Sequence, residues 1–237
     1  LSKLEATGLT KRFGKRQVIV DLNIAFESGE IFGLLGPNGA GKTTTFYLLV
    51  GFLSANRGRV YLDGNRIDHL PFFRRARLGI QYLPQEPSIF SHTTVRGNIQ
   101  LALEGARRRW DGGVEGIVDE LGLRALLRRP ALALSAGERR RVEIARALVT
   151  SPKFLLLDEP FTGVDPLTIS ELQVLLADLS RRGIGVVITD HNVRDALKIT
   201  AYAYLIHEGR IIAQGTPEEL LEDPLAKRYY LGEDFSL

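Results

Sequence analysis

Gly36-Pro-Asn-Gly-Ala-Gly-Lys-Thr43 is the stretch on which the chain turns. It fits G-x-x-x-x-G-K-[ST], a loop whose backbone N–H groups point inward at a polyanion. Gly36, Gly39 and Gly41 supply the bends, Lys42 a mobile cation for the outer phosphates of a nucleotide, and Thr43 a hydroxyl placed to ligate Mg²⁺. The flanks agree with it. Ile31-Phe-Gly-Leu-Leu35 predicts a buried strand, and Thr43 to Val50 a helix closed by Gly51. A helix starting there aims its positive end at phosphate. With 24 glycines in 237 residues, a chance match inside such flanks is improbable, and the ligand implied is a nucleoside triphosphate.

A chain of 237 residues accommodates one large α/β domain with room for an insertion. Apolar content of 44% and charged content of 25% are those of a globular protein, and apolar runs such as Phe46 to Leu53 are far too short to cross a bilayer. No charged-then-apolar leader opens the sequence, which sets the expectation of a protein that stays in the cytoplasm. The absence of cysteine excludes disulfides and thiolate metal sites. Net charge is +3, from scattered clusters: Arg74, Arg75 and Arg77; Arg107 to Arg109; Arg128 and Arg129; Arg139 to Arg141. Each predicts a solvated helix face rather than a nucleic-acid surface.

Residues 1 to 35 predict short strands at Leu4 to Thr7, Val18 to Val20, Ile24 to Phe26 and Ile31 to Leu35, split by turns at Gly14-Lys-Arg and Ser28-Gly-Glu. Arg59 to Leu62 and Gly79 to Leu83 continue in that style. From 86 to 150 the chain becomes helical and Arg-rich, with apolar positions 114, 117, 118 and 121 at helical spacing. Phe154 to Asp158 and Ile184 to Thr189 read as buried parallel strands, and Tyr202 to His207 with Arg210 to Gln214 as a hairpin around Glu208-Gly209. A helical, acidic-aromatic tail follows.

The residues that carry chemistry sit at the ends of these elements. Phe13 reads either as core or as a ring stacked on a purine. Gln85, just past a strand, is able to reach a metal or water at the outer phosphate. Ser135 with Glu138 is a capping box, and its helix start is equally a candidate anion site. Asp158 and Glu159 end an apolar strand, where two acids are costly to bury without a cation; the first suits Mg²⁺ held through water, the second a general base. Asp165-Pro166 starts a further helix with Leu172, Leu175, Leu176 and Leu179 facing the core. His191 follows a strand and is placed to bond a phosphate.

In this order and spacing, Gly36–Thr43, Gln85, Leu134–Glu138, Leu155–Glu159, Val164-Asp165 and His191 resemble the ATP-binding subunits of ABC transporters across essentially the whole chain. No Asn-Lys-x-Asp base-reading motif is present, so a GTPase does not fit. The resemblance implies an α/β fold: a P-loop NTPase (RecA-like) core with an N-terminal antiparallel β subdomain and an inserted helical subdomain. In one domain of residues 1–237, the core would be 1–85 and 151–237, and the insertion 86–150. It further implies ATP held by Gly36, Pro37, Asn38, Gly39, Ala40, Gly41, Lys42, Thr43 and Thr44, with Phe13 on the adenine. Mg²⁺ would lie among Thr43, Gln85 and Asp158, with Glu159, His191 and Gln85 catalytic. Ser135 and Gly137 would touch the γ-phosphate held by a second copy, and Asp165 the dimer contact.

The partners implied are a second copy and two transmembrane permease subunits, received in a groove beside Gln85 with Phe72, Phe73, Ile89 and Phe90; no nucleic acid is implied. Gly39 to Tyr47, Tyr82 to Glu86, Gly137 to Glu143 and Tyr230 to Phe235 are similar to family members that export lipopolysaccharide from the bacterial inner membrane. That places the chain on the membrane's cytoplasmic face. A branched-chain amino acid importer ATPase and a soluble assembly ATPase are the alternatives. The sequence departs from the family pattern at Ala136, where the signature usually has Gly, and at Phe13, more commonly Tyr. Ala136 is expected to take helical φ/ψ, which preserves its N–H.

Overall fold

The computed structural model describes residues 1–105 and 113–232. Arg107 to Arg109, Gly112 and the tail from 233 onward lie outside the described residues. The strands are β1 (Lys3–Phe13), β2 (Arg16–Glu27), β3 (Ile31–Leu35), β4 (Arg57–Leu62), β5 (Asn65–Arg66), β6 (Ile80–Leu83), β7 (Phe154–Asp158), β8 (Gly185–Thr189), β9 (Tyr202–His207) and β10 (Arg210–Gly215). The helices are α1 (Lys42–Val50), α2 (Phe72–Arg77), α3 (Val95–Glu104), α4 (Gly113–Glu120), α5 (Ala136–Leu148), α6 (Pro166–Arg181), α7 (Val193–Leu197) and α8 (Pro217–Glu222), with short turns between and after them.

Two sheets organise the chain. An antiparallel one runs β2-β1-β4-β5; the other runs β10-β9-β3-β8-β7-β6, parallel except for the β9–β10 hairpin. β3, β7 and β8 are buried at every position, as unbroken apolar runs covered on both faces must be. Because β3, β6, β7 and β8 point the same way, the segments after them emerge at one edge. Those segments carry Gly36, Gln85, Glu159 and His191, and the carboxyl edge of a parallel sheet is where α/β folds bind ligands.

α1 packs between the sheets. Phe46, Leu48 and Leu49 join Leu4, Leu9, Ile24 and Phe26 of the antiparallel sheet and Phe32 and Leu34 of the parallel one in a single apolar cluster. The other face of the parallel sheet shares a cluster with α3 to α6, so the helical stretch is fused to the strands through Leu155, Leu157, Val142 and Leu148. No helix among the described residues is long and apolar enough to cross a membrane.

Two sequence expectations need correction. The short strands expected before residue 28 are two long ones, β1 and β2, because register shifts along β1 let the pair continue where strict alternation fails. α2 does carry the helix face expected of Arg74, Arg75 and Arg77, but its six residues bury one side chain. That side chain is Arg75, which is 2% exposed rather than part of a solvated face, while Arg74 and Arg77 are exposed. Its guanidinium donates to the carbonyls of Leu48 (2.7 Å) and Leu49 (2.7 Å) at the end of α1, and of Leu70 (2.9 Å) and Asp68 (2.9 Å). Burial pulls it down to about 10, so it is a cation at neutral pH. Arg140 is buried as well, against Glu143.

Candidate active site

The loop between β3 and α1 is shaped by backbone crowding. A Cβ on Gly36 would stand 2.1 Å from the Ile206 carbonyl oxygen of β9, so no side chain fits there. The loop is tied to the hairpin by Gly209 N–H donating to the Ala40 carbonyl at 2.9 Å. α3, α5 and α6 begin with side-chain caps from Thr94, Ser135 and Asp165, but α1 begins at left-handed Gly41 with none. Its first N–H groups are therefore left for an anion. Lys42 is 6% exposed and curls back to donate to the carbonyls of Gly36 (2.7 Å) and Pro37 (3.1 Å). Burial lowers its pKa, against the opposing pull of Glu159, Asp158 and Asp190.

A cleft of about 260 Å³ opens over this loop, walled by Phe13, Arg16, Val18, Asn38, Lys42, Thr43, Thr44 and Glu159 among others. Phe13 ends β1 with 47% of its surface exposed, so it is not core, and it lines the cleft. Arg16 and Val18 read in the sequence only as turn and strand; the strand pairing that sets Arg16 opposite Phe13 brings them to the cleft.

Glu159 is the hub of the polar cluster. It has φ of 46°, a left-handed conformation uncommon for a side-chain-bearing residue, and its N–H donates to the Thr189 carbonyl at 2.9 Å. That turn directs the carboxylate into the cleft. Its Oε2 accepts from Gln85 Nε2 at 2.8 Å and from the Thr162 hydroxyl at 3.2 Å, and His191 Nδ1 lies 3.4 Å away. Thr162 also meets His191 Nδ1 at 3.3 Å, a contact no motif announced.

Asp158 is 2% exposed. Its Oδ1 accepts from the Thr189 hydroxyl at 2.5 Å and its Oδ2 from the Tyr82 hydroxyl at 3.1 Å, and it makes no ion pair among the described residues. Burial, and then the Asp158 charge, push the Tyr82 phenol up, which keeps it a donor. A buried carboxylate bonded only to neutral hydroxyls is suited to a cation. Thr43 and Gln85, the residues expected to share Mg²⁺ with it, would add neutral oxygen donors of the kind Mg²⁺ takes. No group of three His, Asp or Glu able to hold a metal occurs among the described residues, so such a cation would lean on nucleotide phosphates.

Ser135 and Gly137 are not brought into this cleft. Ser135 is the exposed N-cap of α5, and both bonds of its capping box with Glu138 form, at 2.8 and 3.2 Å. Ala136 opens the helix with helical backbone, as expected. A Cβ on Gly137 would lie 2.5 Å from Thr168 Cγ2, so this glycine is what lets α5 approach α6. Asp165 caps α6, accepting from Thr168 N–H (3.0 Å) and hydroxyl (2.6 Å), and these bonds hold its carboxyl below the usual range.

A second cavity, about 390 Å³, is lined by Phe72, Phe73, Tyr82, Leu101, Glu143 and Arg146 among others. Ile89 does not line it; it is core, 9% exposed. Phe90 stands outside it with its ring 4.7 Å from the Arg146 guanidinium. The segment after Gln85 is strapped to α5: Glu143 accepts from Ser88 N–H at 2.6 Å and from Arg140 at 3.0 Å, and Arg146 donates to the Ser88 carbonyl.

A phosphate loop, acids at parallel strand ends and a capped helix facing away define an ATP-binding cassette, and the chain belongs to the ABC transporter family, whose profile matches residues 19–162. It is an ATPase of that family. The chain is 48% identical to the Haemophilus influenzae protein "Lipopolysaccharide export system ATP-binding protein LptB", over 100% of both chains. It is 48% identical to the "Probable ABC transporter ATP-binding protein" of Azorhizobium caulinodans, over 99% of this chain and 84% of that one. The crystal structure of the ADP conformation of MJ1267, an ATP-binding cassette of an ABC transporter, superposes with a TM-score of 0.88 at 29% identity, covering 98% of this chain and 99% of that one.

Proposed function

We propose that two copies of this chain close around two ATP molecules and that hydrolysis drives lipopolysaccharide export through membrane-bound permease partners. One observation carries the dimer: Gln85 and His191 meet on the Glu159 carboxylate, which lines the same cleft as Lys42, while the capped start of α5 is exposed and absent from that cleft. Each phosphate loop then needs the Ser135 and Gly137 end of another copy to seal its ATP.

In the closed dimer, Phe13 carries the adenine and the α1 N–H groups with Lys42 take the phosphates. Mg²⁺, held by Thr43 with Gln85 and, through water, Asp158, would neutralise charge on the outer phosphates. Glu159 takes the proton of the attacking water, and His191 bonds the γ-phosphate. Removing Gln85 from Glu159 frees that carboxylate for water, which links the base to whatever moves the Gln85 segment. The cavity walled by Phe72, Phe73, Leu83 and Ser88, the last two flanking Gln85 in the chain, is the place for a permease segment, which puts the chain at the cytoplasmic face of the inner membrane. The cargo follows from the full-length likeness to an export-system protein.

Glu159→Gln is expected to bind ATP normally and hydrolyse it at least 100-fold more slowly, the scale of losing a general base. Near-normal hydrolysis would remove Glu159 from that role. Co-purification from membranes with lipopolysaccharide-handling permeases is expected; capture of amino acid permeases instead would overturn the cargo.

A further inference from the structure

The 390 Å³ cavity and the buried acid Asp158 share one side chain. Tyr82 lies on β6 with its ring in the cavity wall and its hydroxyl 3.1 Å from Asp158 Oδ2. The other carboxylate oxygen takes the Thr189 hydroxyl from β8, so Asp158 on β7 is clamped from both neighbouring strands. The two clamps differ in what stands behind them. Thr189 is fully buried, whereas Tyr82 reaches toward the cavity through an aromatic cluster. Its ring meets Phe52 edge-on at 5.9 Å, and Phe52 stacks on Phe72 at 4.1 Å. Phe46 (6.2 Å) and Tyr47 (5.8 Å) hold the ring from the α1 side. Phe72 is itself a wall of the cavity.

We propose that Tyr82 is a positioning residue for Asp158, and that the chain Phe72–Phe52–Tyr82 makes the setting of that carboxylate depend on what fills the cavity. This route runs beside Gln85 and differs from it in kind. Gln85 contacts Glu159, whereas Tyr82 contacts the acid assigned to the metal. Phe52 is half exposed, but its ring is stacked on Phe72 on one side and meets Tyr82 on the other. The Tyr82 ring it presses on is backed by Phe46 and Tyr47, where little free volume is left to absorb a displacement. A hydroxyl fixing a metal-facing carboxylate acts as a metal's outer-shell partners do, where removal typically costs 10- to 100-fold in metal affinity. The proposal rests on the cleft being a Mg²⁺–ATP site.

The test uses the full chain, trinitrophenyl-ATP as fluorescent probe and Mg²⁺ as titrant. Tyr82→Phe keeps the ring and deletes one hydroxyl. Probe affinity in EDTA is expected to be unchanged, while the Mg²⁺ concentration for half-saturation rises about tenfold. Phe72→Ala, which does not touch Asp158, is expected to move the same titration in the same direction, about two- to threefold. Combined with Tyr82→Phe it should add nothing, because the relay ends at the missing hydroxyl. A Mg²⁺ titration unmoved in Tyr82→Phe, even with a lowered melting temperature, reduces the hydroxyl to a structural bond and overturns the positioning role. An unmoved Phe72→Ala, or full additivity, overturns the link to the cavity. A wild-type chain whose probe binding ignores Mg²⁺ would instead sink the metal-site assignment beneath it.

Discussion

Replacing Arg75 by alanine should be among the most damaging single changes remote from the nucleotide. The substitution orphans four carbonyls, those of Leu48, Leu49, Asp68 and Leu70, in a place where the side chain is 2% exposed. An unpaired buried acceptor costs about 1–3 kcal/mol, so four would cost about 4–12 kcal/mol if nothing relaxed. Water entering the vacated volume re-solvates some of them, and the cation's own desolvation cost disappears with it. Arg75 has no carboxylate partner among the described residues, and its removal leaves no buried charge. The net loss is therefore set by the carbonyls that stay dry; with about two of the four unsatisfied it is about 3–5 kcal/mol. For a chain of this size each kcal/mol shifts melting by about 2–4 °C, which predicts a fall near ~10 °C in a circular dichroism melt. Arg75→Lys should fall between the two, because one ammonium cannot reach carbonyls converging from α1 and from the loop before α2. Urea unfolding gives the same quantity independently. A loss under about 1 kcal/mol for Arg75→Ala would refute the idea that this guanidinium fastens α1 to α2.

Three further outcomes follow from the packing and charges. Burial lowers the Lys42 pKa, and a triphosphate beside it restores the charge, so ATP affinity is full below the lowered pKa and falls as pH rises through it, earlier than an exposed lysine would dictate. Calorimetry in buffers of different ionisation heat should show proton uptake in that window; a flat response up to the ordinary lysine range would contradict it. Glu143→Ala strands Arg140 and the Ser88 N–H, with an expected loss of about 3–5 kcal/mol by thermal melting, and Glu143→Gln roughly half of that, since it can still accept from Ser88. Gly137→Ala should cost about 1–3 kcal/mol through its clash with Thr168 Cγ2, and less than ~1 kcal/mol in a Thr168→Ser background, which deletes that methyl and keeps the bond to Asp165.

What the sequence disclosed was local. The phosphate loop is readable because its backbone demands glycine where β9 presses on Gly36, and the caps are readable because Ser135–Glu138 and Asp165–Pro166 satisfy helix ends within a few residues. Strands β3, β7 and β8 are legible as unbroken apolar runs, and their shared direction delivers the acids. The rest is long-range. Arg75 finds the end of α1 27 residues back, Glu143 finds Ser88 55 residues away and Tyr82 finds Asp158 at a separation of 76. In the sequence these residues sit in an arginine-rich helix and an apolar strand, where nothing distinguishes them from a solvated face or ordinary core.

The central claim is that one copy's phosphate loop and another's α5 enclose the same ATP. Light scattering of Glu159→Gln with saturating Mg²⁺–ATP tests it most directly, alongside the same variant carrying Ser135→Arg. Glu159→Gln is expected to double its mass with ATP and return to one chain without it, while the added arginine holds it at one chain with ATP still bound. ATP bound at saturation to Glu159→Gln with the mass of a single chain, or a doubled mass that survives Ser135→Arg, would contradict it.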